Sequence, residues 1–117
     1  MEYFSPETDT KIDWSRVDPI ALGMLSTARG IAETPFVITS NYRTPEQSVA
    51  CGGSATDAHT EDPCTAFDIA CSDDRSMFLI VKGLIAAGFN RIGLNWKNGH
   101  VHCDNSKTHD PNVIFIE

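Results

Sequence analysis

Histidine and aspartate residues that could hold a metal ion stand in two separate segments of the sequence. Asp68 lies in the otherwise apolar segment TAFDIAC, where a buried carboxylate needs a counter-charge. His59 precedes this segment, and the later segment HVHCD carries His100, His102 and Asp104. Two imidazoles and one carboxylate, with a fourth position left for water, form a ligand set of hydrolytic zinc sites. Such an ion lowers the pKa of its water and polarises the carbonyl under attack.

Residue types alone leave a metal-free interpretation open. A single histidine on a strand is more often a surface residue or a hydrogen-bonded one than a metal ligand. The Asp68 carboxylate could instead form an ion pair with Arg43 or Arg91. A small metal-free domain therefore remains an alternative when these residues are considered without the rest of the chain.

Five short segments of alternating or β-branched residues predict strands that would position these side chains. In the second segment Asp68 faces away from Phe67, and in the fourth the two histidines share the face opposite Cys103. The Asn98-Gly99 pair is a strong signal for a two-residue hairpin turn, so we expect the C-terminal third to be a β-meander. The predicted strands are residues 36–39, 65–71, 91–96, 100–104 and 113–116.

Two helices and one long loop complete the predicted fold. Asp18 as the cap and Pro19 at the first helical position begin one helix. Ser72 caps the second helix, which ends at Gly88. Residues 40–64 are predicted to be a long loop, and loops of that length in compact domains tend to be functional. The prediction is an α+β fold, a mostly antiparallel sheet with helices packed on one face.

Length and charge restrict the class of protein. The 117 residues fit one domain, with residues 1–14 as an irregular arm and residues 15–117 as a single domain. A net charge of −7, from 16 acidic and 9 basic residues, argues against nucleic acid as a partner, because phosphate binding needs a basic face. No apolar run is long enough to cross a bilayer, and residues 1–14 lack the apolar core of a signal peptide. We expect a monomer that is made in the cytoplasm and has no membrane partner.

The four cysteines do not have the Cys-x-x-Cys spacing of a zinc ribbon. Free thiols are expected in a reducing compartment. If the protein acts outside the cell, two disulfides stay open as alternatives, one between Cys71 and Cys103 and one between Cys51 and Cys64.

Four motifs, in the same order along the chain, resemble those of the M15 metallopeptidases. This is the D-Ala-D-Ala carboxypeptidase-like group, and the likeness is greatest to its small phage and bacterial members. The resemblance covers about residues 18–116 and implies a hedgehog/D-Ala-D-Ala-peptidase-like fold. The matching stretches are ITSNYRTPE (38–46), GGSATDAHTEDPCTAFDIAC (52–71), GFNRIGL (88–94) and HVHCD (100–104).

The resemblance implies a role for five side chains in these motifs. It makes His59, Asp68 and His102 the ligands of a catalytic Zn²⁺. His100 is the competing third ligand, because it lies on the same predicted strand face. Arg43 matches the family arginine that meets a substrate carboxylate or carbonyl oxygen, a task that suits its planar fork of donors.

Two departures from the family pattern concern the loop before Asp68. His59 and Asp68 are nine residues apart instead of the usual seven, so the extra residues must bulge out of the loop. Asp57 replaces the usual Ser two positions before the first ligand, and Asn41 replaces a Gly. Asp57 could bind a substrate amine, be a solvated loop charge, or form a structural ion pair with Arg43.

A third departure concerns the general base. Many family members carry Glu or Asp three residues before the last His, to take a proton from water, but Gly99 stands there. Asp104 is the best available base, because it shares a strand face with His102. It could instead be a carboxylate that orients His102. His100 is the reserve candidate.

The function implied by these observations is hydrolysis of a peptide bond in bacterial peptidoglycan stem peptide by metal-activated water. Carboxypeptidase and endopeptidase action are not separated by the sequence. Action on the cell wall, as a phage lysis or virion-associated enzyme, fits the resemblance. The alternative from another class is a non-catalytic zinc module that binds cell-wall peptide or a protein partner, which the missing acid at position 99 motivates.

Overall fold

A computed structural model describes residues 2–117 and combines helices with a five-stranded sheet. The helices are α1 (Pro19–Ala32), α2 (Pro45–Ala50) and α3 (Asp74–Ala87), and the strands are β1 (Ile38–Ser40), β2 (Phe67–Ala70), β3 (Arg91–Asn95), β4 (His100–Asp104) and β5 (Val113–Ile116). The strand order is β1-β2-β4-β3-β5, and each neighbouring pair is antiparallel except β3 and β5. The predicted α+β fold with a mostly antiparallel sheet is therefore confirmed.

The two long helices pack against each other, and their apolar faces join those of the sheet in one core. Leu25 of α1 and Leu84 of α3 are fully buried, as are Phe67, Ile69 and Val101 of the two central strands. Burying each such side chain contributes roughly 1.5–3 kcal/mol to folding. The core therefore occupies the helix-covered face of β2 and β4, and their other face is free to carry polar groups.

The ends of these helices are close to those predicted, but two caps differ. α1 begins at Pro19, and α3 ends at Ala87, followed by Gly88 as its C-cap with a φ of 108°. Asp18 stands at the N-cap position of α1 without a side-chain cap hydrogen bond. α3 is capped by Asp73 and not by Ser72, because the Asp73 carboxylate accepts a hydrogen bond from the backbone N–H three residues later.

The C-terminal third is not the predicted β-meander. β5 runs parallel to β3, with Val113 beside Arg91. A meander would place it next to β4, but both edges of β4 are already hydrogen-bonded, one to β2 and one to β3. The chain therefore returns to the start of β3, where the N–H groups of Asn112 and Val113 both donate to the Asn90 carbonyl.

The turn between β3 and β4 is longer than predicted. Asn95 pairs with His100, so four residues (96–99) form the loop instead of two. The Asn95 side chain accepts a hydrogen bond from the Asn98 N–H at 2.8 Å, and its carbonyl accepts one from the Gly99 N–H at 3.0 Å. Gly99 has a φ of 70°, a conformation that glycine adopts at little cost. These bonds favour the wider turn over the two-residue type.

The segment between β1 and β2 holds a helix that the loop prediction missed. α2 begins with a capping box, in which the Thr44 hydroxyl accepts from the Gln47 N–H and the Gln47 side chain accepts from the Thr44 N–H. Pro45 stands at the first helical position. The sequence TPEQ thus carries helix-start signals that outweigh the loop-like composition around it. A single 3₁₀ turn follows at Ala58–Thr60.

Residues 2–14 form turns and contain no helix or strand. Phe4 and Ile12 are nevertheless buried in the core. The Asp13 N–H donates to the Asn41 side-chain oxygen at 2.9 Å. The N-terminal segment is therefore held on the rest of the molecule by apolar burial and by a hydrogen bond.

The four cysteines are free thiols, so neither disulfide considered from the sequence is present. Cys64, Cys71 and Cys103 are buried, and Cys51 is exposed. Within residues 2–117, the structure has no helix of the length and apolar character needed to cross a membrane.

Candidate metal centre

The register between β2 and β4 places Asp68 directly opposite His102. Both side chains leave the sheet on the same face, because opposite residues of an antiparallel pair share a side. Asp68 Oδ1 lies 3.0 Å from His102 Nδ1, and each residue is only 6% exposed. The carboxylate predicted to need a counter-charge therefore meets an imidazole.

His59 reaches the same carboxylate from the 3₁₀ turn before β2. The Asp57 carboxylate accepts a hydrogen bond from the His59 N–H at 2.9 Å and so fixes the start of this turn. The Nε2 atom of His59 lies 3.2 Å from Asp68 Oδ1, and its ring is 5.0 Å from the ring of His102, centroid to centroid. The turn thus carries the first histidine to the strand pair that carries the other two residues.

His59, Asp68 and His102 form the ligand group, each offering one atom within 4.8 Å of the other two. Two nitrogen donors and one carboxylate oxygen fit the three protein ligands of a catalytic zinc site, which leaves a fourth position open. His100 belongs to a different cluster, with Asp68 and Glu117. Among the described residues, the geometry favours His102 over His100 as the partner of His59.

The outer nitrogen of each ligand-group histidine also has a partner. His59 Nδ1 lies 2.5 Å from the Asn41 carbonyl oxygen, and His102 Nε2 lies 2.5 Å from Asp104 Oδ2. Histidines that bind metals almost always donate their second N–H to a carbonyl or carboxylate in this way. Each ring is therefore oriented with its other nitrogen toward Asp68, as a metal site requires.

Hydrogen bonds between the members of the ligand group shift the pKa values of Asp68 and His102. Burial raises the pKa of the Asp68 carboxyl, but hydrogen bonds with His102 and His59 outweigh burial and hold that pKa well below its usual range. Burial lowers the pKa of His102, but its contacts with Asp104 and Asp68 outweigh this effect and raise the pKa to about 9. The ionised Asp68 carboxylate therefore faces a positively charged His102 ring. A bound metal cation could supply the same positive charge.

Asp104 is fully buried on the other side of the His102 ring from Asp68. Its Oδ1 atom lies 2.9 Å from Arg91 Nε and accepts a hydrogen bond from the Ser106 N–H at 2.9 Å. The Arg91 contact is an ion pair and not a hydrogen bond, because the Nε–H is not directed at the oxygen. Asp104 thus contacts the Nε2 atom of His102, whereas the Nδ1 atom of the same ring faces Asp68.

A cavity of about 430 Å³ opens beside the ligand group, and Arg43 and Asp57 line it. Arg43 Nη2 lies 3.8 Å from Asp57 Oδ2, so the ion pair considered from the sequence is present. The Asp57 carboxylate also accepts a hydrogen bond from the Ser48 hydroxyl. Arg43 Nε is buried without a hydrogen-bond partner, so part of the guanidinium is not committed.

Two residues at this centre were not among the predicted site residues. Glu117 lines the cavity, and its Oε2 atom lies 3.5 Å from His100 Nε2. No sequence pattern indicates this contact, because it depends on β5 lying beside β3. Arg91 was considered as a partner of Asp68 but contacts Asp104 instead. The motif GFNRIGL marked this arginine without indicating its partner.

Comparison with known proteins agrees with this geometry. A search of curated proteins found no match to the chain. The sequence model of the peptidase M15 family matches residues 5–104, a range that includes the whole ligand group and the four strands from β1 to β4. Because this match spans most of the chain, the protein belongs to the peptidase M15 family, as the order of its motifs predicted.

Proposed function

We propose that the protein is a zinc-dependent peptidase that hydrolyses a peptide bond in bacterial peptidoglycan stem peptide. The observation that carries the proposal is the convergence of the ligand group beside an open cavity, in a chain of a peptidase family. When bound, Zn²⁺ would lower the pKa of a water molecule and polarise the scissile carbonyl. His59, Asp68 and His102 would hold it.

Arg43 is proposed to bind the substrate. Its guanidinium faces the cavity, and its Nε lacks a partner. A planar fork of donors suits a carboxylate or a carbonyl oxygen of a peptide. Asp57, at 3.8 Å from Arg43 Nη2, would hold the guanidinium in place and could also meet a substrate amine.

Asp104 and His100 are proposed to have different roles. Asp104 is fully buried and bonded to the outer nitrogen of His102, which suits a residue that orients the ligand. The base role considered from the sequence stays a prediction, and we propose the orienting role instead. His100 lines the cavity and lies 3.7 Å from Asp68 Oδ1, which supports a role for it beside the group that transfers the proton.

The ligand assignment is tested by metal analysis of protein purified without added metal and then loaded with zinc. We expect one zinc per chain in the natural protein and in His109→Ala, and its loss in His59→Ala and His102→Ala. His109 is the matched control, because it lies outside both potential ligand clusters. Zinc that persists in His102→Ala but is lost in His100→Ala would move the third ligand to His100.

The activity is tested on purified peptidoglycan, with released peptides identified by mass spectrometry. We expect the zinc-loaded protein to release stem-peptide fragments, and a chelator or His59→Ala to abolish the release. The masses would also distinguish carboxypeptidase from endopeptidase action. Zinc-loaded protein that binds peptidoglycan but releases no peptide would favour the non-catalytic binding module.

A further inference from the structure

Peptide hydrolysis needs a side chain that takes a proton from water and returns it to the leaving amine. A search for this side chain rests on the proposed peptidase function. Among the described acidic residues of the cavity, Asp68 is in the ligand group, Asp104 bonds to His102, and Asp57 is held by Arg43 and Ser48. The remaining carboxylate that lines the cavity is Glu117, which is outside the ligand group of His59, Asp68 and His102 and does not take part in the contacts of Asp104 and Asp57.

The sheet carries Glu117 to the site from the strand next to β3. The Glu117 N–H donates to the Leu94 carbonyl at 3.0 Å, which continues the β3–β5 pairing past Ile116. The carboxylate then turns toward β4, where its Oε2 atom lies 3.5 Å from His100 Nε2. Oxygen atoms of Glu117 and Asp68 lie within 4.8 Å of each other. The carboxylate is thus beside the ligand group without being part of it.

Gly93 makes room for this carboxylate. It lies between the two strands, opposite His102 on β4 and beside Phe115 on β5. A Cβ atom at position 93 would lie 2.5 Å from Glu117 Oε1 and 2.7 Å from the Phe115 ring, so any larger residue would displace both side chains. The absence of a side chain at this position is what lets Glu117 extend over β3 toward the cavity.

The carboxylate of Glu117 is partly accessible from the cavity. Its side chain is 28% exposed, so a water molecule or a substrate can reach it. An accessible carboxylate beside the ligand group is placed to accept a proton from water.

We infer that Glu117 is the catalytic carboxylate of this peptidase. It takes one proton from water while the water oxygen bonds to the carbonyl carbon of the substrate. It then passes this proton to the amide nitrogen as the C–N bond breaks. One water is consumed, a carboxylic acid and an amine are formed, and Glu117 returns to its starting form. His100, in contact with Glu117, holds the carboxylate in position.

The inference is tested with Glu117→Gln, which keeps the shape of the side chain and removes its charge. Glu7→Gln is the matched control, because Glu7 is exposed and lies outside the cavity. We expect Glu117→Gln to lower turnover of peptidoglycan at least about 100-fold, the scale of a lost general base. We expect its zinc affinity to fall less than about tenfold, whereas the loss of a ligand or its direct partner costs more.

A second measurement does not require turnover. Acetohydroxamic acid binds zinc as its anion, and a neighbouring carboxylate favours binding by taking the released proton. We expect its affinity for the zinc-loaded protein to fall at least about tenfold in Glu117→Gln, the value of one hydrogen bond to a charged group, and to be unchanged in Glu7→Gln. Unchanged affinity in both variants would overturn the inference, even if the natural protein releases no peptide.

The outcomes separate the two proposals. Hydrolysis by the natural protein with full turnover in Glu117→Gln would contradict the role of Glu117 and leave the peptidase proposal intact. Loss of stoichiometric zinc in Glu117→Gln would make Glu117 a ligand instead of a base. No hydrolysis by the natural protein, with a hydroxamate affinity that depends on Glu117, would contradict the peptidase proposal but support the position of the carboxylate.

Discussion

Asp68 and His102 face each other across two antiparallel strands, with Asp68 Oδ1 3.0 Å from His102 Nδ1. The neighbouring pair in the same register, Phe67 and Cys103, is fully buried in the core. A slip of one residue would exchange the two faces. The apolar pair therefore fixes the register, and the register in turn brings the carboxylate and the imidazole together.

The buried charge of Asp104 depends on Arg91. Asp104 is fully buried, and Arg91 Nε lies 2.9 Å from its Oδ1 atom. Arg91→Met would leave this carboxylate with His102 as its remaining charged partner, so we expect a loss of about 3 kcal/mol in the free energy of unfolding, the scale of a broken buried pair. Urea denaturation in the presence of a chelator measures it.

The same variant should weaken metal binding if Asp104, which bonds to the outer nitrogen of His102, orients that ring as proposed. We expect zinc affinity to fall about 10- to 100-fold in Arg91→Met, as for the loss of other groups that support a ligand. Arg75→Met, an exposed position on α3, is the control for removing an arginine. Equal stability and equal zinc affinity of the two variants would show that Arg91 does not support Asp104.

The residues of the ligand group were predictable because the signals for them are local. Alternation within residues 100–104 puts His102 on the polar face, and the motif around His59 and Asp68 has a recognisable order. The sequence left a choice between His102 and His100 as the third ligand, and the distances in the structure group His102, not His100, with His59 and Asp68. A difference of two positions on one strand face is too small for sequence patterns to separate.

The parts that were not predicted depend on long-range contacts or on competing local signals. Glu117 reaches the cavity only because β5 adds to the free edge of β3, and no periodicity in the sequence specifies which edge a strand joins. α2 was missed because loop-like composition around Thr44 concealed its capping box. The sequence left Asp104 open between a base and a carboxylate that orients His102, because it shows the shared strand face but not the burial of the side chain.

Asn41, which replaces the usual Gly of the family, joins the N-terminal segment to the sheet. It is 1% exposed, its Oδ1 accepts from the Asp13 N–H, and its Nδ2 donates to the Ala66 carbonyl, each at 2.9 Å. Asn41→Ala would leave both backbone groups without these partners. We expect a loss of about 2–4 kcal/mol in the free energy of unfolding, measured by urea denaturation.

The matched variant is Asn41→Asp, which keeps the acceptor for Asp13 but places an oxygen against the Ala66 carbonyl. We expect this change to be at least as destabilising as Asn41→Ala at neutral pH, because a buried charge then faces another acceptor. Stability within about 0.5 kcal/mol of the natural protein, the range of an ordinary surface substitution, would contradict the role assigned to the Asn41 side chain.

The cap of α3 should make stability depend on pH in the acid range. Hydrogen bonds from the Ser76 N–H and hydroxyl hold the pKa of the Asp73 carboxyl below its usual value. A lowered folded-state pKa stabilises the protein above the ordinary pKa of Asp, and this contribution is lost as the pH falls through the folded-state pKa. Asp73→Ala should therefore lower the urea midpoint at pH 7, and this difference should become smaller at a pH below the ordinary pKa of Asp, about 3.9.

Asp74→Ala is the control for this measurement. Asp74 lies in the first turn of the same helix but makes no cap hydrogen bond, so its substitution tests the helix dipole alone. We expect a smaller change at pH 7 than for Asp73→Ala. A deficit of Asp73→Ala that is the same at both pH values would mean that the carboxylate charge does not contribute to the cap.

Two helical glycines should respond in opposite ways to the same substitution. A Cβ atom at Gly83 of α3 would lie 2.5 Å from the Ala28 carbonyl oxygen and 3.2 Å from Ala32 Cβ, both on α1. A Cβ atom at Gly23 of α1 would have no neighbour within 4 Å. Alanine is a better helix former than glycine by about 1 kcal/mol, and this gain applies at both sites. The two substitutions therefore differ in the contact that the new Cβ atom makes with the neighbouring helix.

We expect Gly23→Ala to raise the free energy of unfolding by about 0.5–1 kcal/mol. Gly83→Ala should lower it by about 1–3 kcal/mol, because backbone atoms of α1 cannot move aside as a flexible side chain can. Urea denaturation of both variants, in the presence of a chelator, gives the two values on one scale. If Gly83→Ala were as stable as Gly23→Ala, α1 and α3 could move apart to admit the methyl group without a loss in the free energy of unfolding. The close approach of the two helices at Gly83 would then not be required for the stability of the core.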